Sequence, residues 1–210
     1  MYTHSKEFRD RLTPDLALTL LKEGNERFVN NLVANRNLLQ QVNATADGQY
    51  PFATILSCMD SRTSAELIFD QGLGDIFSIR VAGNVVNDDI LGSMEYATKV
   101  VGTKVILVLG HTKCGAITGA CDQVELGHLT SLLHKIKPAI DQESTVLENR
   151  SGKNGEFVNK VTSINVNHSI EQIRRQSEII RTLESEGKLK IIGGLYDVKS
   201  GAVNFMMPFS

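Results

Sequence analysis

Cysteine and tryptophan are scarce in this chain and its net charge is close to zero. Of its 210 residues, three are cysteine and none is tryptophan, and the formal net charge is -2. An odd number of cysteines without disulfide-framework spacing favours a reducing compartment. The near-neutral charge gives no general attraction to nucleic acid or to an acidic membrane surface. Nucleic-acid-binding and disulfide-stapled classes are therefore disfavoured.

Long apolar runs are also missing. No run approaches the ~20 residues that a membrane-spanning helix needs, and the first seven residues lack the basic region and apolar core of a secretory signal. We therefore expect a cytoplasmic protein with no membrane partner. A composition of 41% hydrophobic and 22% charged residues is typical of a globular domain. The length predicts one domain over 1–210, with an N-terminal helical arm over 1–48 and a catalytic core over 49–210.

The arm begins with a clear helix signal. Thr13 followed by Pro14 is typical of a helix start, and helical spacing of apolar residues continues to about Asn31. A second, polar-rich helix is predicted over 37–44.

Beyond the arm, the pattern predicts an α/β fold. Strand-like and helical segments alternate, which is typical of crossover units and a mainly parallel central sheet flanked by helices. The predicted strands lie near 52–57, 76–81, 104–110 and 189–195, and the predicted helices near 64–70, 88–100, 114–122 and 158–186. The segment 202–206 follows a short turn and is predicted to be an antiparallel C-terminal edge strand.

Metal-binding residues follow two of these strands. Cys58 comes directly after the first strand, and His111 and Cys114 come directly after the third. Sites in open α/β sheets form beyond the carboxyl ends of the strands, so these residues are expected to converge. Two cysteines and one histidine suit zinc, and the lack of a fourth such ligand beside them indicates a catalytic zinc with an open position.

Other interpretations of these residues stay open. Cys58 and Cys114 could be buried core cysteines, which are common in proteins. Cys121, two helical turns beyond Cys114, is expected to be a core or interface thiol. No role at the metal is expected for three histidines, His128, His134 and His168.

Asp60 and Arg62 follow Cys58 closely. An arginine fork that pairs with the aspartate would hold it away from zinc and leave it free to accept a hydrogen bond from water. The alternative interpretation is that Asp60, Ser61 and Arg62 form an ordinary solvent-exposed turn with no role at the metal. A phosphate-binding cysteine loop is disfavoured for two reasons. Residues 59–61 contain no glycine, and they include an acidic residue, Asp60, which would repel phosphate.

With these motifs the chain resembles the β-class carbonic anhydrases. The matching segments are Cys58-x-Asp60-Ser61-Arg62, His111-x-x-Cys114-Gly115, Arg80 to Asn84, and Gly193 to Gly201, within a resemblance that spans about 49–205. The resemblance implies one Zn²⁺ per chain held by Cys58, His111 and Cys114, with Asp60 and Arg62 as the catalytic dyad.

The resemblance also implies a substrate pocket and an assembly. Gly115 corresponds to a glycine lining the site, and Gln49 to a glutamine that binds substrate oxygen across a dimer interface in one branch of the family. Phe77 and Tyr96 resemble residues lining that branch's narrow pocket, and Ala82 replaces a bulkier valine. We expect a homodimer or a dimer of dimers.

The function implied is reversible hydration of carbon dioxide to bicarbonate by a zinc-bound hydroxide that the dyad orients. Two alternatives stay open: hydrolysis of carbonyl sulfide or carbon disulfide at the same site, and a non-catalytic zinc-binding regulatory homologue. A second branch of the family has a regulatory bicarbonate pocket built from Trp, Arg and Tyr. Arg80 and Tyr196 match it, but Ile55 replaces the tryptophan, so we expect no such regulation.

Overall fold

A five-stranded sheet organises the molecule, whose computed structural model describes residues 4–206. The strands run in the order β2-β1-β3-β4-β5; the first four are parallel, and β5 pairs antiparallel with β4 at one edge. They are β1 (Ala53–Ser57), β2 (Ile76–Arg80), β3 (Val105–His111), β4 (Lys190–Tyr196) and β5 (Val203–Phe205). The predicted fold class and edge strand are confirmed.

Helices cover both faces of this sheet. They are α1 (Lys6–Arg11), α2 (Pro14–Val29), α3 (Leu38–Ala44), α4 (Ala65–Ile68), α5 (Asp88–Glu95), α6 (Gly115–Cys121), α7 (Gly127–His134), α8 (Lys137–Gln142), α9 (Gly155–Gln176) and α10 (Glu178–Ser185). A short 3₁₀ turn covers Ala82–Asn84, and a π-helical segment, Tyr96–Val101, continues α5. Helix α1 and the pair α7–α8 were not predicted from the sequence.

The two central strands are apolar on both faces because each face has its own core. In β3, Leu107 and Leu109 pack with α2 and α4 on one side, and Ile106 and Val108 pack with α5, α9 and α10 on the other. A third cluster, formed around α6, α7 and α9, lies against the loop that carries Cys58. This alternation is the period of two expected of a strand buried on both faces.

Two predicted helices differ from those observed. The single helix expected over 158–186 begins earlier, at Gly155, and is broken at Ser177 into α9 and α10. The backbone of Ser177 is extended, which ends α9, and its side chain accepts the backbone N–H of Ile180 and donates to Glu95, which caps α10. The helix expected over 88–100 changes to π-helical geometry at Tyr96.

The N-terminal arm packs on its own domain through α2. The Thr13 side chain caps this helix, as the sequence predicted, and Ala17, Leu18 and Leu21 are buried in the core beside the sheet. Part of the arm's apolar surface is therefore covered within the chain. Other apolar side chains farther along remain exposed: Leu32, Val33, Leu38, Leu39 and Val42.

A buried ion cluster ties the end of α2 to the loop before β2. The Asp70 carboxylate is buried and accepts hydrogen bonds from Arg27, Arg36 and the backbone N–H of Ala34. Burial raises the pKa of Asp70, but these hydrogen bonds together outweigh it and hold the pKa below its usual range. Within 4–206, no helix has the length and apolarity needed to cross a bilayer.

Candidate metal centre

The three expected metal ligands meet at the carboxyl ends of β1 and β3, which are paired neighbours. Cys58 follows the last residue of β1, His111 ends β3, and Cys114 is the N-cap residue of α6. All three are buried, and their ligand atoms lie within 4.8 Å of one another. No fourth His, Cys, Asp or Glu of the described chain joins this group.

The geometry fits a tetrahedral metal ion. The two sulfurs, Cys58 Sγ and Cys114 Sγ, are 3.9 Å apart, and Zn–S bonds of about 2.3 Å in a tetrahedron require about 3.8 Å. His111 Nδ1 lies 3.0 Å from the carbonyl oxygen of Thr112, so Nδ1 carries the ring proton and donates it to that oxygen. Nε2 is therefore unprotonated, and its lone pair is available to a metal ion. Nε2 is buried without a hydrogen-bond partner among residues 4–206. A metal ion would satisfy it.

The two thiols are within hydrogen-bonding distance of each other. The hydrogen bond with Cys114 lowers the pKa of Cys58, and the same contact raises the pKa of Cys114. Because the thiolate is the form that binds metal, the lowered pKa of Cys58 favours binding of a divalent cation here.

Asp60 is engaged by Arg62 rather than grouped with the ligand atoms. Arg62 Nε donates to Asp60 Oδ1 at 2.9 Å, Arg62 Nη2 donates to Oδ2 at 2.8 Å, and the Arg62 backbone N–H donates to Oδ1 at 3.0 Å. The side-chain hydrogen bonds from Arg62 lower the pKa of Asp60, which stays ionised. The structure thus contains the predicted pair; its catalytic role is taken up below.

The loop that carries Cys58 is held by residues to which the sequence analysis gave no such role. Arg80 donates to the carbonyl oxygens of Cys58 and Asp60, at 3.3 and 2.6 Å, and the Thr63 hydroxyl lies 2.8 Å from both carbonyls. Arg80 matches the arginine of the bicarbonate pocket found in the second branch of the family, but here its guanidinium donates to the backbone of this loop. Ile55 and Tyr196, the other two positions of that comparison, are buried in the core.

The loop after β3 is also braced. The Thr112 hydroxyl donates to Asp197 Oδ1 at 3.0 Å and accepts the backbone N–H of Val198 at 3.1 Å. Because the Thr112 carbonyl faces His111 Nδ1, this bracing orients the histidine ring. Asp197 lies within the matching segment Gly193 to Gly201, but the sequence predicted no role for it, because its contact with Thr112 spans 85 residues of chain.

The residues expected to line the substrate pocket are only partly brought together. The rings of Phe77 and Tyr96 lie 6.5 Å apart and border one open surface depression. Gln49 borders a different depression, with residues 45–48 and Gly74. Ala82 begins the 3₁₀ turn, and Gly115 begins α6, where an added Cβ would meet open space.

The residues not expected at the metal lie outside the ligand group. Cys121 is buried in the cluster around α6, and burial raises the pKa of its thiol to about 11. His168 pairs with Gln172 on α9. His128 and His134 lie on α7, and neither belongs to the ligand group.

Comparison with known proteins agrees with this geometry. A family model described as carbonic anhydrase matches residues 53–203 of the chain. Carbonic anhydrase 2 of Mycobacterium tuberculosis is 35% identical over 194 residues, which are 90% of this chain and 90% of that protein.

Solved structures share the fold. The β-carbonic anhydrase CafA of Aspergillus fumigatus superposes with a TM-score of 0.74 at 26% identity, covering 93% of this chain and 91% of that one. Two tetrameric β-carbonic anhydrases of Sordaria macrospora are represented by a chain with a TM-score of 0.69 at 23% identity, covering 91% and 94%. At that identity the likeness is one of fold.

Proposed function

The chain belongs to the β class of the carbonic anhydrase family, the carbonate dehydratases, and from that premise we propose how its residues hydrate carbon dioxide. Cys58, His111 and Cys114 hold one zinc ion, and Asp60 and Arg62 direct the attacking water. One observation carries this proposal. The ligand atoms of Cys58, His111 and Cys114 converge, while the neighbouring Asp60 carboxylate is hydrogen-bonded to Arg62 instead of joining them.

Zinc held by these three residues would lower the pKa of a water molecule enough to supply a nucleophile near neutral pH. The chain's own contribution is orientation. The Asp60 carboxylate oxygens each have more than one acceptor site, so they can accept a hydrogen bond from that nucleophile while bonded to Arg62. That hydrogen bond would turn an oxygen lone pair of the nucleophile toward the carbon of CO₂.

Arg62 has a second task, which is to keep Asp60 away from the metal. Its planar fork occupies both carboxylate oxygens, and its backbone N–H adds a third hydrogen bond. Without the fork, Asp60 would be a competent fourth ligand, and the position needed for water would close.

We also propose that the substrate pocket is completed between subunits of a homodimer, alone or as half of a dimer of dimers. Gln49 and the Phe77–Tyr96 pair border separate depressions on one chain, so a shared pocket needs a second copy. The tetrameric state of the Sordaria macrospora enzymes supports assembly. Light scattering should therefore give at least a dimer, and a fully active monomer would contradict this part of the proposal.

Direct measurement of CO₂ hydration by stopped flow on the zinc-loaded chain tests the function. We expect turnover in the wild-type protein and in Cys121→Ser, whose thiol is outside the ligand group. We expect near-complete loss in Arg62→Ala, with Asp60 taking the fourth metal position.

X-ray absorption of the same variants separates the two effects of the dyad. Arg62→Ala should give a site with two sulfur, one nitrogen and one carboxylate ligand. Asp60→Asn should lose activity with the fourth position left to water or an anion. Wild-type turnover in Arg62→Ala would refute the dyad, and hydrolysis of carbonyl sulfide without CO₂ hydration would favour the alternative substrate class.

A further inference from the structure

Two polar side chains interrupt the apolar stripe of the long helix α9. Asn165 and Ser169 are 1% and 2% exposed, and their buried neighbours on the same helix include Val161, Val166 and Ile173. Burying a polar group is unfavourable unless it is hydrogen-bonded, and an apolar residue would suit the core better. These two residues are therefore expected to serve a specific contact.

Both side chains bond the backbone of one distant turn. Asn165 Nδ2 donates to the carbonyl oxygen of Gly83 at 2.9 Å, and Ser169 Oγ donates to the carbonyl oxygen of Asn84 at 3.1 Å. The orientation of the Asn165 amide follows from chemistry, because a carbonyl oxygen can be met only by the nitrogen end. The two contacts span 82 and 85 residues of sequence.

The turn that they hold has an uncommon backbone conformation. Gly83 has φ 66° and Asn84 has φ 44°, so two successive residues are left-handed. Glycine adopts this region without strain, but for a side-chain-bearing residue such as Asn84 it is uncommon and persists where the surrounding structure holds it. The hydrogen bonds from α9 anchor both carbonyls of this turn in the protein interior.

The Gly83–Asn84 turn also contacts Cys58, one of the proposed metal ligands. The backbone N–H of Gly83 points at Cys58 Sγ, with the nitrogen 3.4 Å from the sulfur. A hydrogen bond to a ligand sulfur fixes the direction of its lone pairs and withdraws electron density from it. A shift of the turn would remove this hydrogen bond.

We propose that Asn165 and Ser169 are positioning residues for the metal centre, which act through the Gly83–Asn84 turn to hold an N–H donor on Cys58. The inference rests on the proposed zinc site and adds a support that reaches it from helix α9. Within residues 4–206, neither side chain has a hydrogen bond to Cys58, His111 or Cys114; their influence passes through the backbone of the turn.

Metal binding tests this inference without reference to turnover. Asn165→Leu and Ser169→Ala, each made in the full chain, should weaken zinc binding about 10-fold in competition with a chelator. With Co²⁺ as the probe, the sulfur-to-cobalt charge-transfer band should move to longer wavelength, because a thiolate that loses its N–H donor holds its electrons less tightly.

Thr162→Val is the matched control. Thr162 lies on the same helix, is 2% exposed, and donates to the carbonyl oxygen of Val158 within the helix. It should leave the Co²⁺ band and the zinc affinity unchanged. If Asn165→Leu fails to fold, Ser169→Ala, which removes one oxygen atom, decides the question.

Two results would overturn the inference and leave the proposed function intact. One is a Ser169→Ala variant with wild-type zinc affinity and an unshifted Co²⁺ band. The other is a Thr162→Val variant whose band shifts as much as that of Ser169→Ala. A wild-type chain that shows no sulfur-to-cobalt band would overturn the zinc proposal itself, and this inference with it. A band shift in Asn165→Leu and in Ser169→Ala, but not in Thr162→Val, would support the positioning role of Asn165 and Ser169.

Discussion

Gly83→Ala should destabilise the protein and weaken its metal site together. Gly83 has φ 66°, and a Cβ there would lie 2.9 Å from Ile136 Cδ1 and 3.4 Å from Ala116 Cβ. The same residue donates its N–H to Cys58. The substitution therefore combines backbone strain, crowding and displacement of a hydrogen-bond donor from Cys58, a proposed metal ligand.

The cost can be estimated from these contacts. A left-handed alanine costs about 1–2 kcal/mol relative to glycine. The crowding adds about 1 kcal/mol, at the low end of overpacking, because the nearest atom is the tip of a flexible isoleucine. For a domain of this size, a total of about 2–3 kcal/mol lowers the melting temperature by about 4–12 °C. Zinc affinity should fall about 10-fold with the loss of an outer-shell contact.

Calorimetry with a double-mutant cycle separates the two energetic terms. Ile136→Val removes the crowding atom Cδ1, so Gly83→Ala should cost about 1 kcal/mol less in that background. Gly155→Ala is the control, since nothing lies within 4 Å of a Cβ at that position. A melting temperature for Gly83→Ala equal to that of Gly155→Ala, with unchanged zinc affinity, would refute the reasoning.

Three further predictions concern the metal, the arm and regulation. His111→Ala should sharply reduce zinc content measured by metal analysis, whereas Cys121→Ser should not; full zinc in the first variant would exclude the ligand assignment. Asp70→Asn should lower the free energy of unfolding at pH 7 by about 3 kcal/mol in denaturant titrations, because it removes the buried carboxylate that pairs with Arg27 and Arg36. The Asp70 pKa is lowered on folding, so this stabilisation is present above the unfolded pKa of about 3.9 and is lost as the pH falls through the folded value; equal stability of variant and wild type at pH 7 would contradict it. Bicarbonate should not inhibit CO₂ hydration cooperatively, since Ile55 leaves no formed anion pocket and hence little differential affinity; a steep sigmoidal inhibition curve would argue against this.

Sequence reasoning worked where the signal was local. The period of two in β1 and β3, the cap at Thr13 and the ligands directly after two strands each depend on neighbouring residues. Parallel pairing then brings the carboxyl ends of adjacent strands to one edge of the sheet. The mainly parallel sheet with its antiparallel edge strand, and the convergence of Cys58 with His111 and Cys114, could thus be inferred from the sequence.

It was less successful where the outcome depended on a long-range contact. The break at Ser177 lies in a stretch with continuous helical spacing, and the serine is engaged by Glu95, 82 residues away. The separation of Gln49 from Phe77 and Tyr96 depends on the path of the chain around the sheet. Neither leaves a periodic trace in the sequence.

The sequence by itself determined the candidate donor set, two thiols and an imidazole, and the adjacent carboxylate and guanidinium of Asp60 and Arg62. Only the tertiary structure decided how these groups are held: Arg80 and Thr63 on the Cys58 loop, and α9 on the turn at Gly83. The reason is physical. The elements of the sheet follow from short-range periodicity and burial, whereas hydrogen bonds from a side chain to a distant backbone carbonyl exist only after the chain has packed.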